Sequence, residues 1–137
     1  MDKIRQLKGK GEFDYDYLHD TLFFKVRDRE YEKSIELNNF IVDIDDENFI
    51  VGVQIFDASK YFGIPKNYLR VAMSWKFQGR IEQISKSESR IEIRLMFQIK
   101  MRNKILQPTP IITQNVRDSL ESSRMVCVPA PQQRSPR

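Results

Sequence analysis

Residues 40–60, FIVDIDDENFIVGVQIFDASK, hold the pattern from which the rest of the chain can be read. Phe40, Val42 and Ile44 fall on one face of an extended segment, with Asp43 and Asp45 on the other; Phe49, Val51, Val53 and Ile55 repeat the alternation. That is a half-buried hairpin. Its polar link, Asp45-Asp46-Glu47-Asn48, ends on the residue besides glycine best able to take a left-handed conformation. Gly52 in mid-strand signals a bulge or a close approach by another segment. Asp57 is placed to N-cap a short helix over Ala58, Ser59, Lys60 and Tyr61, stopped by Gly63 and Pro65.

Working outward, Phe13, Tyr15 and Tyr17 alternate with Asp14 and Asp16, and a turn at Leu18-His19-Asp20 leads into Leu22, Phe24 and Val26. This is a first hairpin. A third strand runs through Tyr31, Lys33, Ile35 and Leu37, so five strands precede the short helix. Pro65–Val71 reads as a second short helix with proline at its start. From Ser74 the alternation returns at greater length, first through Trp75, Phe77, Gly79 and Ile81, then through Ile91, Ile93, Leu95, Phe97, Ile99 and Met101. Lys86-Ser87-Glu88-Ser89 separates the two runs and makes them a long antiparallel hairpin. Both apolar faces coincide only for pairings with an even sum of residue numbers, and the preferred register sets Glu82 against Arg94 and Gly79 against Phe97.

Beyond Lys104, Pro108 and Pro110 exclude a central strand but allow an edge strand through Ile111 and Ile112. Val116–Ser123 reads alternatively as a short helix capped by Asn115, and Met125–Val128 as a final strand. The expected fold is mainly β with minor α: antiparallel hairpins or a meander, a short helix after the fifth strand and a long second-half hairpin. Residues 1–11 are expected as a flexible lead-in, 12–128 as one domain in two stretches (12–63 and 64–128), and 129–137 as a disordered tail.

The chain has 137 residues, 40% of them apolar, which suffices for one modest core. No apolar run reaches the ~18–20 residues of a membrane helix, and the charged start is not a signal peptide, so a cytoplasmic protein without a membrane partner is expected. Cys127 is the only cysteine, which excludes an internal disulfide and a thiolate-rich zinc site. Charge is unevenly spread. Residues 13–60 hold twelve acids and five bases, net −7, whereas 61–105 hold ten bases and three acids, net +7. Such a split suits head-to-tail self-association or a basic face for an anionic partner.

Residues 13–60 resemble the prokaryotic family known as domain of unknown function 2283. The matching residues are Tyr15, Asp16, Asp20, Leu22, Phe23, Ser34, the run Val42-Asp43-Ile44-Asp45, Ile50-Val51-Gly52, Ile55, and Asp57-Ala58-Ser59. Two departures stand out: Asn48 replaces the family's usual glycine, and Val53-Gln54 replaces an Ile-Glu pair and so removes a carboxylate. The resemblance implies a small antiparallel sheet closed by the turn of helix at residues 57–60, no established activity, and, by analogy with members beside toxin genes, an antitoxin-like binding role.

Candidate chemistry is sparse. Asp43, Asp45, Asp46 and Glu47 form the best cluster for a hard cation, with Asp43 and Asp45 as candidate ligands. An EF-hand register from Asp43 fails, because it puts Asn48 where glycine and Gln54 where a bidentate glutamate belong. Asp16, Asp20 and Asp57 are a second carboxylate group, explained by turns and capping. His19, the one histidine, falls in a turn, and neither Ser34 nor Ser59 lies in a nucleophile elbow. The polar face of residues 75–102, with Lys76, Arg80, Arg94, Lys100 and Arg102, is the candidate surface for an anion or a partner, although the nearby rings face inward. The primary expectation is a non-catalytic domain that needs no cofactor and acts by protein–protein binding or homo-oligomerisation. The alternatives are nucleic-acid binding through the basic hairpin and a carboxylate- or metal-dependent hydrolase.

Overall fold

A computed structural model of the chain describes residues 4–71 and 74–130. The first half runs β1 (Arg5–Asp16), β2 (Thr21–Val26), β3 (Lys33–Glu36), β4 (Phe40–Ile44), β5 (Ile50–Ile55), α1 (Ala58–Phe62) and α2 (Lys66–Leu69). The second runs β6 (Ser74–Ser85), β7 (Glu88–Met101), β8 (Lys104–Leu106), β9 (Ile111–Val116) and β10 (Ser123–Pro129). The architecture is mainly β, with the short helix after the fifth strand and the long later hairpin that the alternation foretells. All ten strands share one sheet in the order β3-β4-β5-β2-β1-β10-β6-β7-β8, with β9 also on β7. Its connectivity is mixed, because β1 and β10 pair in parallel while the other pairs are antiparallel.

That parallel pair corrects the reading of residues 1–11 as a lead-in. From Arg5 onward the segment is a strand, paired with β10 over Arg5–Gly11 and with β2 from Gly11 to Asp16. Its inward face shows almost no apolar signal because there is no room for bulk. A Cβ at Gly9 would stand 2.9 Å from Val26 Cγ1, and one at Gly11 would collide with Lys25 O and Cys127 Sγ. Pro129 ends β10, and the Ala130 amide donates to Gly11 O at 2.8 Å, so the expected tail lies outside the described residues from position 131.

Two further corrections concern the second half. The long hairpin keeps an even-sum register but pairs Glu82 with Arg90 and Gly79 with Ile93, four residues along β7 from the expected one. The turn closes tightly at Lys86-Ser87, with Ser85 opposite Glu88 and a bulge that absorbs Ile84. Gly79 does not receive a ring from its own hairpin; Ile50 fills that space, its Cβ 2.8 Å from where a Gly79 Cβ would be. The helix expected over 116–123 is absent. Asn115 belongs to β9, where it accepts from Arg90 Nε at 3.2 Å and donates to Glu88 at 2.8 Å. The irregular segment after it is pinned by buried Ser89, whose hydroxyl donates to Asp118 O at 2.7 Å and accepts from the Leu120 amide at 3.0 Å.

The sheet curls so that both halves bury their apolar faces in one core. Phe24 of β2 stacks on Phe77 of β6 at 5.7 Å and meets Trp75 edge-on at 5.5 Å, and Phe13 of β1 meets Phe97 of β7 at 6.0 Å. Leu22, Val42, Ile44, Ile50 and Ile55 from the first half and Ile81, Ile91, Ile93 and Leu95 from the second are fully buried in the same cluster. Each such side chain contributes roughly 1.5–3 kcal/mol by leaving water. The acidic and basic halves thus share one buried cluster.

Candidate functional site

Asp20 lies at the end of the β1–β2 turn in a left-handed conformation, φ 54°, which aspartate tolerates better than most residues. From there its carboxylate reaches α1. Ser59 donates its amide to Asp20 Oδ1 at 3.0 Å and its hydroxyl to Oδ2 at 2.6 Å, Tyr15 Oη donates to Oδ1 at 2.5 Å, and the Ala58 amide donates to Asp20 O at 3.0 Å. Asp20 thus caps a helix 39 residues away and ties the first hairpin to the end of the second. Asp57, expected in that role, makes no side-chain cap bond. It takes φ 51° to start the helix, and the first-turn donors are already satisfied by Asp20.

Charge follows from this geometry. Burial alone would raise the Asp20 carboxyl, but the Ser59 hydroxyl, the Tyr15 hydroxyl, the Ser59 amide and the Lys66 charge outweigh it and hold its pKa below the usual value. Burial and the Asp20 carboxylate both push Tyr15 upward, so the phenol keeps its proton and remains the donor. Neighbouring Asp16 is lowered by His19, whose Nδ1 lies 2.8 Å from Asp16 Oδ2 in the exposed turn. Lys66 and Arg70 at α2 sit 5.0 and 4.6 Å over the Tyr17 ring and hold that helix beside the same turn.

The second carboxylate site is the β4–β5 turn, where Asn48 has the expected left-handed φ of 63°. Asp45 does not face water as the alternation suggested; it is 3% exposed. Its Oδ1 accepts from the Glu47 and Phe49 amides at 3.0 and 2.8 Å, and its Oδ2 accepts from Arg29 Nε at 2.7 Å. Arg29 also reaches Glu47 at 2.9 Å; burial would lower its pKa, but the two carboxylates outweigh that and raise it. Asp43 has a different partner, Ser34 Oγ at 2.6 Å, and its carboxylate approaches the bare Cα of Gly52 beside a bulge in β5. Both candidate ligands are thus engaged in separate bonds. Among the described residues no group of three His, Cys, Asp or Glu side chains is placed to hold an ion.

Leu22 is in the core, and Ala58 is buried beneath the cap, so Tyr15, Asp20, Leu22, Ala58 and Ser59 converge on one structural joint. Cys127 is buried, and desolvation raises its thiol to about 11, which keeps it protonated and unreactive at neutral pH. On the basic hairpin, Lys76, Arg80 and Arg94 share the outer face of β6 and β7. Lys100 stands farther along β7 beside β8, and Arg102 occupies the β7–β8 turn with φ 53°. Lys8, Lys10 and Arg124 join that outer face through β1 and β10. The alternation of Lys8 and Lys10 was the available signal for the first two, and nothing local marked the pairing that brings them there.

Fold and site together define a small mixed-β domain whose N-terminal hairpins are locked by a tyrosine–aspartate–serine clasp onto a one-turn helix. Residues 12–59 match the family described as Protein of unknown function (DUF2283), and the chain belongs to that family. It is 34% identical over 103 residues to a Methanosarcina mazei protein named "Putative hypoxanthine phosphoribosyltransferase", covering 75% of this chain and 80% of that one. It is 30% identical over 73 residues to an uncharacterized protein of Methanocaldococcus jannaschii, covering 53% of this chain and 63% of that one. No solved structure matches.

Proposed function

We propose that this is a non-catalytic domain that acts by binding protein, with a second copy of itself as the partner its edges fit best. The observation that supports this is the character of the two strands at the ends of the sheet, β3 and β8. Ile105 and Leu106 of β8 are 57% and 43% exposed, and Leu106, Ile64, Pro65, Tyr68, Ile99 and Pro108 line an apolar groove of about 510 Å³ beside it. Lys100, Arg102 and Lys104 surround that edge, whereas Glu30, Glu32 and Glu36 flank β3 at the other end. Adding β3 of one copy to β8 of the next sets acids against bases and covers the apolar strip. Pairing β8 with β8 would set like charges together.

The antitoxin-like role implied by the family resemblance is of the same kind, a protein contact without chemistry. No helix of the described residues is long and apolar enough to cross a membrane, and a cytoplasmic location is part of this proposal. The activity in the Methanosarcina mazei relative's name is not carried over. Transfer of a phosphorylated ribose calls for a loop of backbone N–H groups around a diphosphate. Here Gly9, Gly11, Gly52 and Gly79 lie inside strands and Gly63 closes α1, so these residues build no such loop.

Sedimentation velocity across a concentration series tests the reading. Association that grows with concentration, weakens with added salt and is lost in Leu106→Glu supports it. A monomer at every concentration and salt contradicts it.

A further inference from the structure

The outer face of the β1-β10-β6-β7 region carries a cation array that the sheet order assembles from both ends of the chain. Across neighbouring strands Gln6, Arg124, Arg80 and Glu92 stand side by side, and the next row holds Lys8, Val126, Gln78 and Arg94. Lys10 and Lys76 extend the same face one step farther along β1 and β6. With strands about 4.8 Å apart and same-face residues about 7 Å apart, the array spans about 14 Å across the strands. Its acids are few: Glu92 lies 3.5 Å from Arg94, and Glu82 lies 3.7 Å from Arg90. Arg80 has no ion pair among the described residues. The Nε atoms of Arg80, Arg94 and Arg124 are shielded from water without a hydrogen-bond partner there, so any contact to a partner falls to the terminal guanidinium nitrogens.

We infer that this face binds the phosphate backbone of a nucleic-acid duplex without reading its sequence. Three observations select that partner. The cations are spread singly over a sheet surface, as a row of phosphates requires. The outward positions of these strands carry no aromatic ring, since Phe13, Trp75, Phe77 and Phe97 turn to the core, so there is no platform on which single-stranded bases would stack. Lysine is common on the face and a buried aromatic anchor is absent from it, the reverse of what the centre of a protein–protein contact shows. The face is convex and touches few phosphates at once, so binding is modest and strongly dependent on salt.

The test uses fluorescence anisotropy of the full chain with a labelled 20-base-pair duplex, the same single strand, and polyglutamate as competitor. The expected result is duplex binding whose log K falls against log salt with a slope of about −3 to −5. Replacing the exposed Lys8, Lys10 and Lys76 by glutamine should make the slope shallower by about 3 and weaken binding at least about tenfold. Glu92→Gln removes an acid from the face and should tighten binding, a gain that a misfolded variant would not show. Lys60→Gln, on α1 of the acidic half, should leave affinity unchanged. Tighter binding to the single strand, displacement by polyglutamate at equal charge, or indifference to the lysine and Glu92 variants would each overturn the inference.

Discussion

The two halves of the sheet treat charge in opposite ways. In β1–β5 the carboxylates at the turns are drawn inward and bonded several times over: Asp20 by Ser59 and Tyr15, Asp45 by Arg29 and two amides. In β6–β10 the cations stay on the outer face, and Arg80 has no ion pair among the described residues. Charge turned inward organises the fold, because each bonded carboxylate there satisfies backbone donors that would otherwise be orphaned. Charge left outward does little for stability and remains free for a partner.

The sharpest way to break that contrast is Asp45→Ala. It leaves two amides without their acceptor and removes the nearer partner of an arginine that is 25% exposed. Destabilisation of about 3 kcal/mol is expected in urea unfolding. Asp20→Ala should cost about 2 kcal/mol by removing the cap of α1 and the Tyr15 bond, and should also change the acid limb. The folded pKa of Asp20 lies below its unfolded value of about 3.9, so its contribution is complete above that pH and lost as pH falls through the folded pKa. Stability of Asp20→Ala should therefore fall less steeply with acid than that of the native chain. The smallest effect belongs to the other half: Lys76→Gln should change the unfolding free energy measured in urea by less than about 0.5 kcal/mol.

How much of this could be read beforehand divides along the same line. Alternation fixed the hairpins, because half-buried strands must alternate, and Asn48 and Gly52 announced the turn and the bulge in the second of them. The clasp was hidden although its members were visible. Tyr15, Asp20 and Ser59 were singled out by the family pattern, but a cap supplied across 39 residues leaves no local spacing, and Asp57 offered a nearer explanation. Asp45 read as exposed because its cover, Arg29, comes from another turn. The parallel β1–β10 pair joins the two ends of the described chain, a contact of high loop-closure cost with no sequence period of its own, and glycines occupy the face where apolar residues would have marked a strand. The register of the long hairpin differs from the one its own residues favour for a related reason. The gap at Gly79 belongs to Ile50 across the core, and strand pairing alone does not see across a core.

The acidic and basic halves are expected to unfold as one cooperative unit joined through β1, β10 and the shared aromatic core. Native-state amide hydrogen exchange tests this directly. The interior amides of β2 and β5 and those of β6 and β10 should open with the same free energy, equal to that of global unfolding. Protection confined to residues 12–59, with β6 and β10 exchanging through a separate and lower opening, would contradict it.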